Sequence, residues 1–412
     1  MLHAPLRLFR VHSIALLAVA VGAALLPVSF AAAQGTVVED AIGVPGAQAP
    51  IDGVPEVPPL PEGGTPAELL AFIAELKQKN FKPRSREEMM GYVSSVATVS
   101  TEAANRILKM VKPTDASYVA AAKLKLESLM MLGRLGNETA ADDMGAFAAT
   151  LLDCPDKDLA KEARRLVIVA DAQQLFSPPK GGTAPAPAEV SQKAAALVKK
   201  ITTTLEADPN DSLTAGLAMQ VANALEHLPG AENAARDAYS SFIPVFAQSE
   251  NPQVKGMSEN FAGILRRLKL PGQPMEINGT LLSGEKFDQK TLAGKVVLVD
   301  FWATWCGPCV QELPNVQEQY TKYHAKGFEV VGVSLDEDRG MLEKFVTDNK
   351  LPWPILFEKS EGEGWKHPLA TYYGISGIPT VILIGRDGKV VSLDARGEKL
   401  GEQLDKLFGD GG

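Results

Sequence analysis

The chain has 412 residues, of which 45% are hydrophobic, so it is long enough for two or three domains with buried cores. Its 41 basic and 50 acidic side chains give a formal net charge of -9 at pH 7, which argues against nucleic-acid binding because phosphate backbones demand a basic surface. Three cysteines exclude a disulfide framework, and five histidines leave few ligands for a multi-metal enzyme.

The N-terminal segment, residues 1–33, has the pattern of an export signal. Arg7 and Arg10 precede an apolar run, and small residues surround Ala33, which predicts a signal peptide cleaved near that residue. The uncharged stretch 13–33 is also long enough to cross a bilayer, so a membrane anchor is the alternative. Both interpretations predict that the rest of the protein is exported to the periplasm or cell envelope.

A linker and a helical domain follow. Residues 34–65 are rich in Pro and Gly and are predicted to form an extended linker. Apolar residues recur at helical spacing over 66–270, which predicts an all-α domain, interrupted by a surface loop at 177–188. Thr65-Pro66 and the capping-box pattern Ser85-Arg86-Glu87-Glu88 predict two helix starts.

Two parts of the helical domain resemble each other at a constant offset of 94 residues. The matching residues are Gly136, Glu138, Ala140, Ala141 and Asp143, and Gly230, Glu232, Ala234, Ala235 and Asp237. Stacked helix pairs of an α-solenoid would produce this repeat, because each pair buries its apolar stripe on the next. An irregular helical bundle is the alternative, because Ala-rich helices resemble one another in composition.

Cys154 is the one candidate for chemistry in the helical domain. A lone thiol in an exported protein is a candidate site for a mixed disulfide. The alternative is a small buried hydrophobe, which is the commoner role of a free cysteine.

A short apolar run, Lys295 to Trp302, predicts a strand buried on both faces. It leads into Cys306-Gly307-Pro308-Cys309, and residues 310–325 have helical spacing. Cys306 should therefore lie at a helix N-terminus, where unpaired N–H groups and the helix dipole favour a thiolate. The spacing brings the sulfurs close enough for a disulfide, with Cys306 exposed and Cys309 behind it, so that one thiol attacks and the other resolves.

Half of a zinc site is the alternative for this cysteine pair, and it would need two further ligands. Cys154, His324 and His367 are the available residues, and the sequence has no second closely spaced pair. The sequence therefore favours redox chemistry, which requires no cofactor beyond the two cysteines.

The stretch Phe301 to Cys309 resembles the thioredoxin active-site sequence, and its continuation Val310 to Pro314 is similar to the exported TlpA/ResA-like thiol-disulfide oxidoreductases. The resemblance covers about residues 275–408 and implies a thioredoxin-fold domain, which we place at 271–412. It also implies that Gly377-Ile378-Pro379-Thr380 contains the cis-proline of that fold.

The fold class predicted from these features is multidomain, with an all-α bundle or solenoid-like region followed by an α/β thioredoxin-fold domain. In that domain the residues predict a central mixed sheet with helices on both faces. Strands are predicted at 328–335, 380–384 and 390–393, helices at 341–349 and 399–408, a hairpin turn at 386–389 and, by resemblance, a further hairpin at 281–292.

Asp300 interrupts the apolar strand, and burial there should raise the pKa of its carboxyl group. By resemblance, it is the acid that exchanges a proton with Cys309. A strand-end residue paired with a backbone donor is the alternative. The thioredoxin pattern has a lysine on the next strand, but Val330-Val331-Gly332-Val333 contains none.

Substrate contacts are expected around the cysteines. Of Trp302 and Trp305, we expect one in the core and the other beside the disulfide, in contact with the partner chain. By resemblance, Ile378 pairs with an extended substrate segment through its backbone. Glu312 is interpreted as a structural residue favoured by the helix dipole. The predicted substrate-binding residues are Trp305, Gly307, Pro308, Ile378 and Pro379.

The leading interpretation is an exported thiol-disulfide oxidoreductase that reduces disulfides in partner proteins, with Cys306 as nucleophile and Cys309 as resolving thiol. Such a reductant needs electrons from across the membrane, so a membrane thiol donor is an implied partner. One alternative is a scaffold or peptide-binding helical protein that carries a generic redox domain. Another is a thiol peroxidase, although Ala303 lies where peroxidatic sites favour Thr.

Overall fold

The computed structural model describes residues 57–78, 81–177, 185–359 and 364–409. The predicted signal or anchor at 1–33 and most of the predicted linker lie outside these residues. Within them, no helix combines the length and the apolar character needed to cross a membrane. The chain divides into two compact units, residues 1–234 and 235–412.

In the first unit, the secondary structure of the described residues is α-helical. The helices are α1 (Pro66–Gln78), α2 (Arg86–Met110), α3 (Ala116–Arg134), α4 (Ala140–Ala149), α5 (Lys157–Phe176), α6 (Pro187–Ala207) and α7 (Ser212–Glu226), with α8 (Glu232–Ala247) crossing into the second unit. Helices that are consecutive in sequence pack against each other, most extensively α2 on α3 and α4 on α5. This is the mostly helical region that the periodicity predicted.

The sequence correctly predicts two helix starts. The Thr65 hydroxyl accepts the Glu68 N–H at 3.3 Å, while the Glu68 carboxylate accepts the Thr65 N–H at 2.7 Å. The Ser85 hydroxyl likewise accepts the Glu88 N–H at 3.1 Å. These bonds satisfy N–H groups that a helix N-terminus leaves unpaired.

The end of the predicted linker is not a free tether. Val57 and Leu60 pack against the apolar cluster formed by α1, α2 and α3. The Pro61 carbonyl accepts a hydrogen bond from Arg106. The physical reason is that this Pro-rich segment still contains apolar side chains, which are more stable when buried.

The two parts of the predicted repeat share a local structure. Gly136 and Gly230 have φ angles of 89° and 86°, and each precedes the next helix. A left-handed backbone favours glycine, so the turn by itself accounts for both glycines. The duplication stays a prediction.

Cys154 is a free, half-buried thiol. It packs against an apolar cluster to which α3, α4 and α5 contribute. Its surroundings are those of a small hydrophobe at the edge of a core.

The second unit combines helices with a five-stranded sheet. Its elements after α8 are α9 (Pro252–Leu268), β1 (Val296–Trp302), α10 (Gly307–Tyr323), β2 (Phe328–Ser334), α11 (Arg339–Asp348), β3 (Ile355–Leu356), α12 (Pro368–Tyr372), β4 (Thr380–Ile384), β5 (Val390–Ser392) and α13 (Glu398–Gly409). The strand order is β3-β2-β1-β4-β5. Strands β1, β2 and β3 are parallel, whereas β4 is antiparallel to both β1 and β5. This is the predicted mixed sheet of a thioredoxin-like domain.

The predicted hairpin at 281–292 is smaller than expected. It consists of a tight turn with one bridge between Thr280 and Lys286, followed by a 3-10 helix at Gln289–Leu292. The Asp288 carboxylate accepts the Lys290 N–H at 2.9 Å. This side-chain cap starts the 3-10 helix, which occupies the second half of the predicted hairpin.

The compact unit that contains the sheet begins at residue 235, and the predicted start of the thioredoxin-like domain at 271 lies inside it. Helix α9 lies between these two positions, and it packs directly on the residues around α12. A Cβ atom on Gly263 would lie 2.8 Å from the Gly374 nitrogen and 2.9 Å from the Thr371 carbonyl oxygen. The Arg266 guanidinium also lies 3.8 Å from the centre of the Tyr372 ring.

The replacement Gly263→Ala should destabilise the protein, because the new methyl group would collide with the backbone at Gly374 and Thr371. We expect a loss of about 1–3 kcal/mol in the free energy of unfolding. Gly256→Ala is the matched control in the same helix, since nothing lies within 4 Å of its added Cβ. It should stabilise α9 by up to about 1 kcal/mol. Urea denaturation measures both, and equal effects would contradict close packing at Gly263.

Candidate active site

The Cys306–Cys309 pair lies where β1 leads into α10. The two residues form a disulfide, with their Cα atoms 5.3 Å apart. Cys306 is the N-cap residue of α10, and its Sγ accepts the Cys309 N–H at 3.2 Å. A backbone donor and a helix N-terminus both stabilise a thiolate at this position after reduction. The predicted placement at a strand-to-helix turn is confirmed.

Exposure does not distinguish the two cysteines, contrary to our expectation. Cys306 is 6% exposed and Cys309 is 3% exposed in the disulfide form. Their places on α10 do distinguish them, because Cys306 caps the helix and Cys309 lies within its first turn. The N-cap position is therefore the reason to choose Cys306 as the attacking thiol.

Asp300 lies within the central strand β1 and is 7% exposed. Its neighbours across the sheet are Gly332 on β2 and Val381 on β4. Burial is the main cause that raises the pKa of the carboxyl group to about 7, and the negative charge of Glu312 contributes to the same rise. The predicted rise in pKa is confirmed, and a carboxyl group that titrates near neutral pH can both accept and give a proton.

Glu312 has a larger part in the site than the sequence suggested. Its carboxylate accepts hydrogen bonds from the Asn315 side chain and from the Gly397 N–H, both at 2.7 Å. Its charge also acts on the pKa of Asp300. The feature of the sequence that could have indicated this role is the spacing of three residues between Cys309 and Glu312, which places both side chains along one face of α10.

Arg396 supplies the cation that the sequence lacks on the neighbouring strand. Its guanidinium donates a hydrogen bond to the Pro379 carbonyl at 3.1 Å. Its positive charge opposes the rise in the pKa of Asp300. No local pattern marks this residue, because only the fold brings the loop before α13 close to β1.

The two tryptophans beside the cysteines have separate positions, as expected. Trp302 is buried at 1% exposure and belongs to the domain core. Trp305 is 57% exposed, and its ring centre lies 6.3 Å from that of Trp365. An exposed aromatic pair therefore lies next to the redox turn.

The remaining predicted contact residues lie on two turns. Gly307 and Pro308 are exposed at the start of α10, and the Ile378–Pro379 peptide bond is cis, as the resemblance implied. Strand β4 begins after these residues at Thr380, so the Ile378 backbone is outside the sheet pairing.

The further ligands that the zinc alternative would need are Cys154, His324 and His367. Within the described residues, no group of three or more His, Cys, Asp or Glu side chains is arranged to hold a metal ion. His324 bonds the Phe328 carbonyl, and His367 is buried at the start of α12.

Comparisons with known proteins agree with this geometry. Residues 270–407 match the Redoxin family model. Thiol-disulfide oxidoreductase ResA of Bacillus thuringiensis is 38% identical over 129 residues, which cover 31% of this chain and 70% of that relative. The chain belongs to the ResA-like thiol-disulfide oxidoreductase family. ResA of Halalkalibacterium halodurans is 32% identical over 129 residues, with the same 31% and 70% coverage.

One solved structure similar to this ResA-like protein is the thioredoxin domain of a thiol-disulfide oxidoreductase from Bacteroides vulgatus. It is 29% identical, with a TM-score of 0.31, and the match covers 34% of this chain and 97% of that one. The Redoxin match begins at residue 270, after the end of α9, so helices α1 to α9 lie outside it. The ResA-like protein is therefore a thiol-disulfide oxidoreductase with an additional helical region.

Proposed function

We propose that this ResA-like protein is exported and reduces disulfides in partner proteins. The observation that supports this most strongly is the placement of Cys306 at the N-cap of α10, bonded by the Cys309 N–H. A thiolate at such a position is stabilised and therefore available at neutral pH. The Gly-Pro pair between the cysteines, by analogy with thioredoxin, favours the reducing direction.

The reaction begins from the dithiol form. The Cys306 thiolate attacks one sulfur of the partner disulfide, forms a mixed disulfide and releases the first partner thiolate. Cys309 then loses its proton and attacks the Cys306 sulfur, which closes the Cys306–Cys309 disulfide and releases the second partner thiolate. Two electrons pass from the protein to its partner.

Asp300 takes the proton in this proposal. The Cys309 thiol must lose a proton before it attacks, and Asp300 is a buried carboxyl group with a pKa of about 7. A base is most effective when its pKa lies near the working pH. In the reverse direction the same group returns the proton.

The Asp300→Asn protein should resolve its mixed disulfide more slowly than the wild type, most visibly near neutral pH, because the amide accepts no proton. We expect a decrease of about tenfold or more in the rate of the second step, with the attack step less affected. Rapid-mixing kinetics across pH measure both steps. Identical resolution rates and pH profiles would return Asp300 to a structural role.

The partner surface proposed here surrounds the redox turn. Trp305, Gly307 and Pro308 are exposed beside the cysteines. Ile378, just before the cis-proline Pro379, offers its backbone to an extended segment of the partner. The partners are thus proteins that present a disulfide in an unfolded or extended segment. A nucleic acid is not among them, because the chain is acidic.

Export and electron supply complete the proposal. The signal pattern in residues 1–33 supports export to the periplasm or cell envelope, with anchoring through 13–33 as the alternative to cleavage. The oxidised protein needs two electrons before another cycle. A membrane protein with a reactive dithiol is the donor class that suits this need.

A disulfide-reduction assay tests the proposal. Reduced wild-type protein should reduce the disulfides of insulin, while the double variant Cys306→Ser/Cys309→Ser should have only the background rate. Equilibration with glutathione tests the direction. A potential near about -270 mV supports a reductant, whereas a value near about -120 mV would identify an oxidant instead.

A further inference from the structure

Asp336 is a buried carboxylate that the reaction above does not use. It lies just beyond β2 and is 3% exposed. It accepts the Thr304 N–H at 3.1 Å, the Thr304 hydroxyl at 2.5 Å and the Ser334 hydroxyl at 2.8 Å. Hydrogen bonds to a carboxylate are stronger than those between neutral groups. Asp336 therefore connects the end of β2 firmly to Thr304.

Thr304 belongs to the turn that presents the first cysteine. This turn, residues 303–306, closes through a hydrogen bond from the Cys306 N–H to the Ala303 carbonyl at 3.2 Å. It has little apolar packing at its centre, because Thr304 is half-buried and Trp305 is exposed. The bonds to Asp336 are thus a main restraint on its position.

The two redox states depend on this restraint to different extents. In the disulfide form, the S–S bond itself ties Cys306 to Cys309 and so to α10. In the dithiol form that covalent link is absent, and the turn relies on hydrogen bonds and packing. Weakening the contact between Thr304 and Asp336 should therefore cost the dithiol form more than the disulfide form.

We propose that Asp336 is a positioning residue for the redox pair, which restrains the turn 303–306 through Thr304 and keeps Cys306 at the helix N-terminus in the dithiol form. This inference rests on the proposed function, since it takes Cys306 as the attacking thiol. Asp336 acts through Thr304 and not on the reacting sulfurs. It differs in this respect from Asp300, which exchanges a proton with Cys309 in the proposed reaction.

The redox equilibrium with glutathione tests this role on the full-length protein. Thr304→Val removes the hydroxyl donor without changing charge, and should shift the equilibrium toward the disulfide by roughly tenfold, the size expected for a hydrogen bond to a charged group. A tenfold shift corresponds to about 30 mV. Thr304→Ser retains the hydroxyl and should restore the equilibrium to within about twofold of wild type.

Asp338→Asn is the matched control for the loss of a nearby carboxylate. Asp338 is exposed and caps α11 by accepting the Met341 N–H at 2.9 Å. Asparagine is also a good N-cap residue, so this variant should leave the glutathione equilibrium unchanged. A shift equal to that of Thr304→Val would overturn the inference.

A second background shows whether Asp336 is the partner of Thr304. In an Asp336→Ala protein, adding Thr304→Val should shift the equilibrium by less than about twofold, because the hydroxyl no longer has its acceptor. Circular dichroism checks that this background folds, and Asp336→Leu, which also lacks an acceptor, replaces it if it does not. A full tenfold shift by Thr304→Val in either background would overturn the inference.

A purely structural role gives a different result. Loss of the contact would then lower the unfolding midpoints of the dithiol and disulfide forms equally and leave the glutathione equilibrium unchanged. That result would overturn the positioning role. The equilibrium needs no protein partner, so this failure leaves the proposed function intact. Conversely, failure of insulin reduction by the wild type would overturn the proposed function and leave the measured equilibrium shifts in place.

Discussion

The Cys306→Ser protein should lose all disulfide reduction, whereas the Cys309→Ser protein should attack once and accumulate as a mixed disulfide. The reason is the position of the two sulfurs on α10. Cys306 caps the helix and accepts the Cys309 N–H, so its thiolate is stabilised, and Cys309 acts only to resolve. Non-reducing electrophoresis and mass spectrometry of protein recovered from its native compartment would measure the trapped species and identify the partner chain.

Cys154 requires a control in this experiment, because it is a free thiol. Both single variants should also be made in a Cys154→Ala background, in which the trapping pattern should persist. Cys154→Ala by itself should leave insulin reduction and the potential of the Cys306–Cys309 pair unchanged. Equal trapping by Cys306→Ser and Cys309→Ser would contradict the assigned roles, and loss of trapping in the Cys154→Ala background would assign the captured chain to Cys154.

The free energy of unfolding of the Asp300→Asn protein, relative to that of the wild type, should be higher above neutral pH than at pH 4. The pKa of Asp300 rises from 3.8 to about 7 in the folded protein, because burial disfavours the charged carboxylate. Ionisation of this buried group therefore costs stability. A difference of about three pH units between the two pKa values corresponds to about 4 kcal/mol.

The direction follows from proton binding in the two states. Between pH 3.8 and about 7, folded Asp300 retains its proton while unfolded Asp300 has lost it, so the free energy of unfolding falls as pH rises through this window. Asp300→Asn should remove this decrease in the free energy of unfolding. The contributions of all other titratable groups should be the same in both proteins and so cancel in the comparison. The exposed Asp348 gives the control variant Asp348→Asn, which should have the pH dependence of the wild type.

Urea denaturation of the disulfide form at pH 4, 6 and 8 measures this effect. The difference in unfolding free energy between Asp300→Asn and wild type should grow by about 4 kcal/mol from pH 4 to pH 8. A constant difference across that range would mean that Asp300 is already ionised at pH 4. It would also remove the basis for Asp300 as the proton acceptor.

The chemical core of the site was predictable because its signals are local in the sequence. A run of apolar, β-branched residues predicts the buried strand β1, and the cysteine spacing predicts a pair on a first helical turn. Asp300 was predictable for the same reason, since its neighbours Leu298, Val299 and Phe301 are adjacent along the strand and are all buried. Local patterns also predicted the helix caps at Thr65 and Ser85.

The residues that surround the cysteines and Asp300 could not be predicted, because they are brought there by contacts between distant parts of the chain. Arg396 reaches the Pro379 carbonyl and influences the pKa of Asp300, but its own sequence neighbours do not indicate this. Asp336 meets Thr304 because β1 and β2 are parallel neighbours and their carboxyl ends lie together. Such pairings depend on sheet order, which periodicity does not specify.

The sequence by itself therefore determined the redox motif, the strand and helix that carry it, the buried acid and the helical character of residues 66–270. The tertiary structure decided which charges act on Asp300, how deeply each cysteine is buried and where the compact unit around the sheet begins. Helix α9 shows why this is so, because its amphipathic pattern predicts a helix but not the surface that it covers. Its packing on Gly374 depends on two glycines, Gly263 and Gly374, that are far apart in sequence and meet only when the chain is folded.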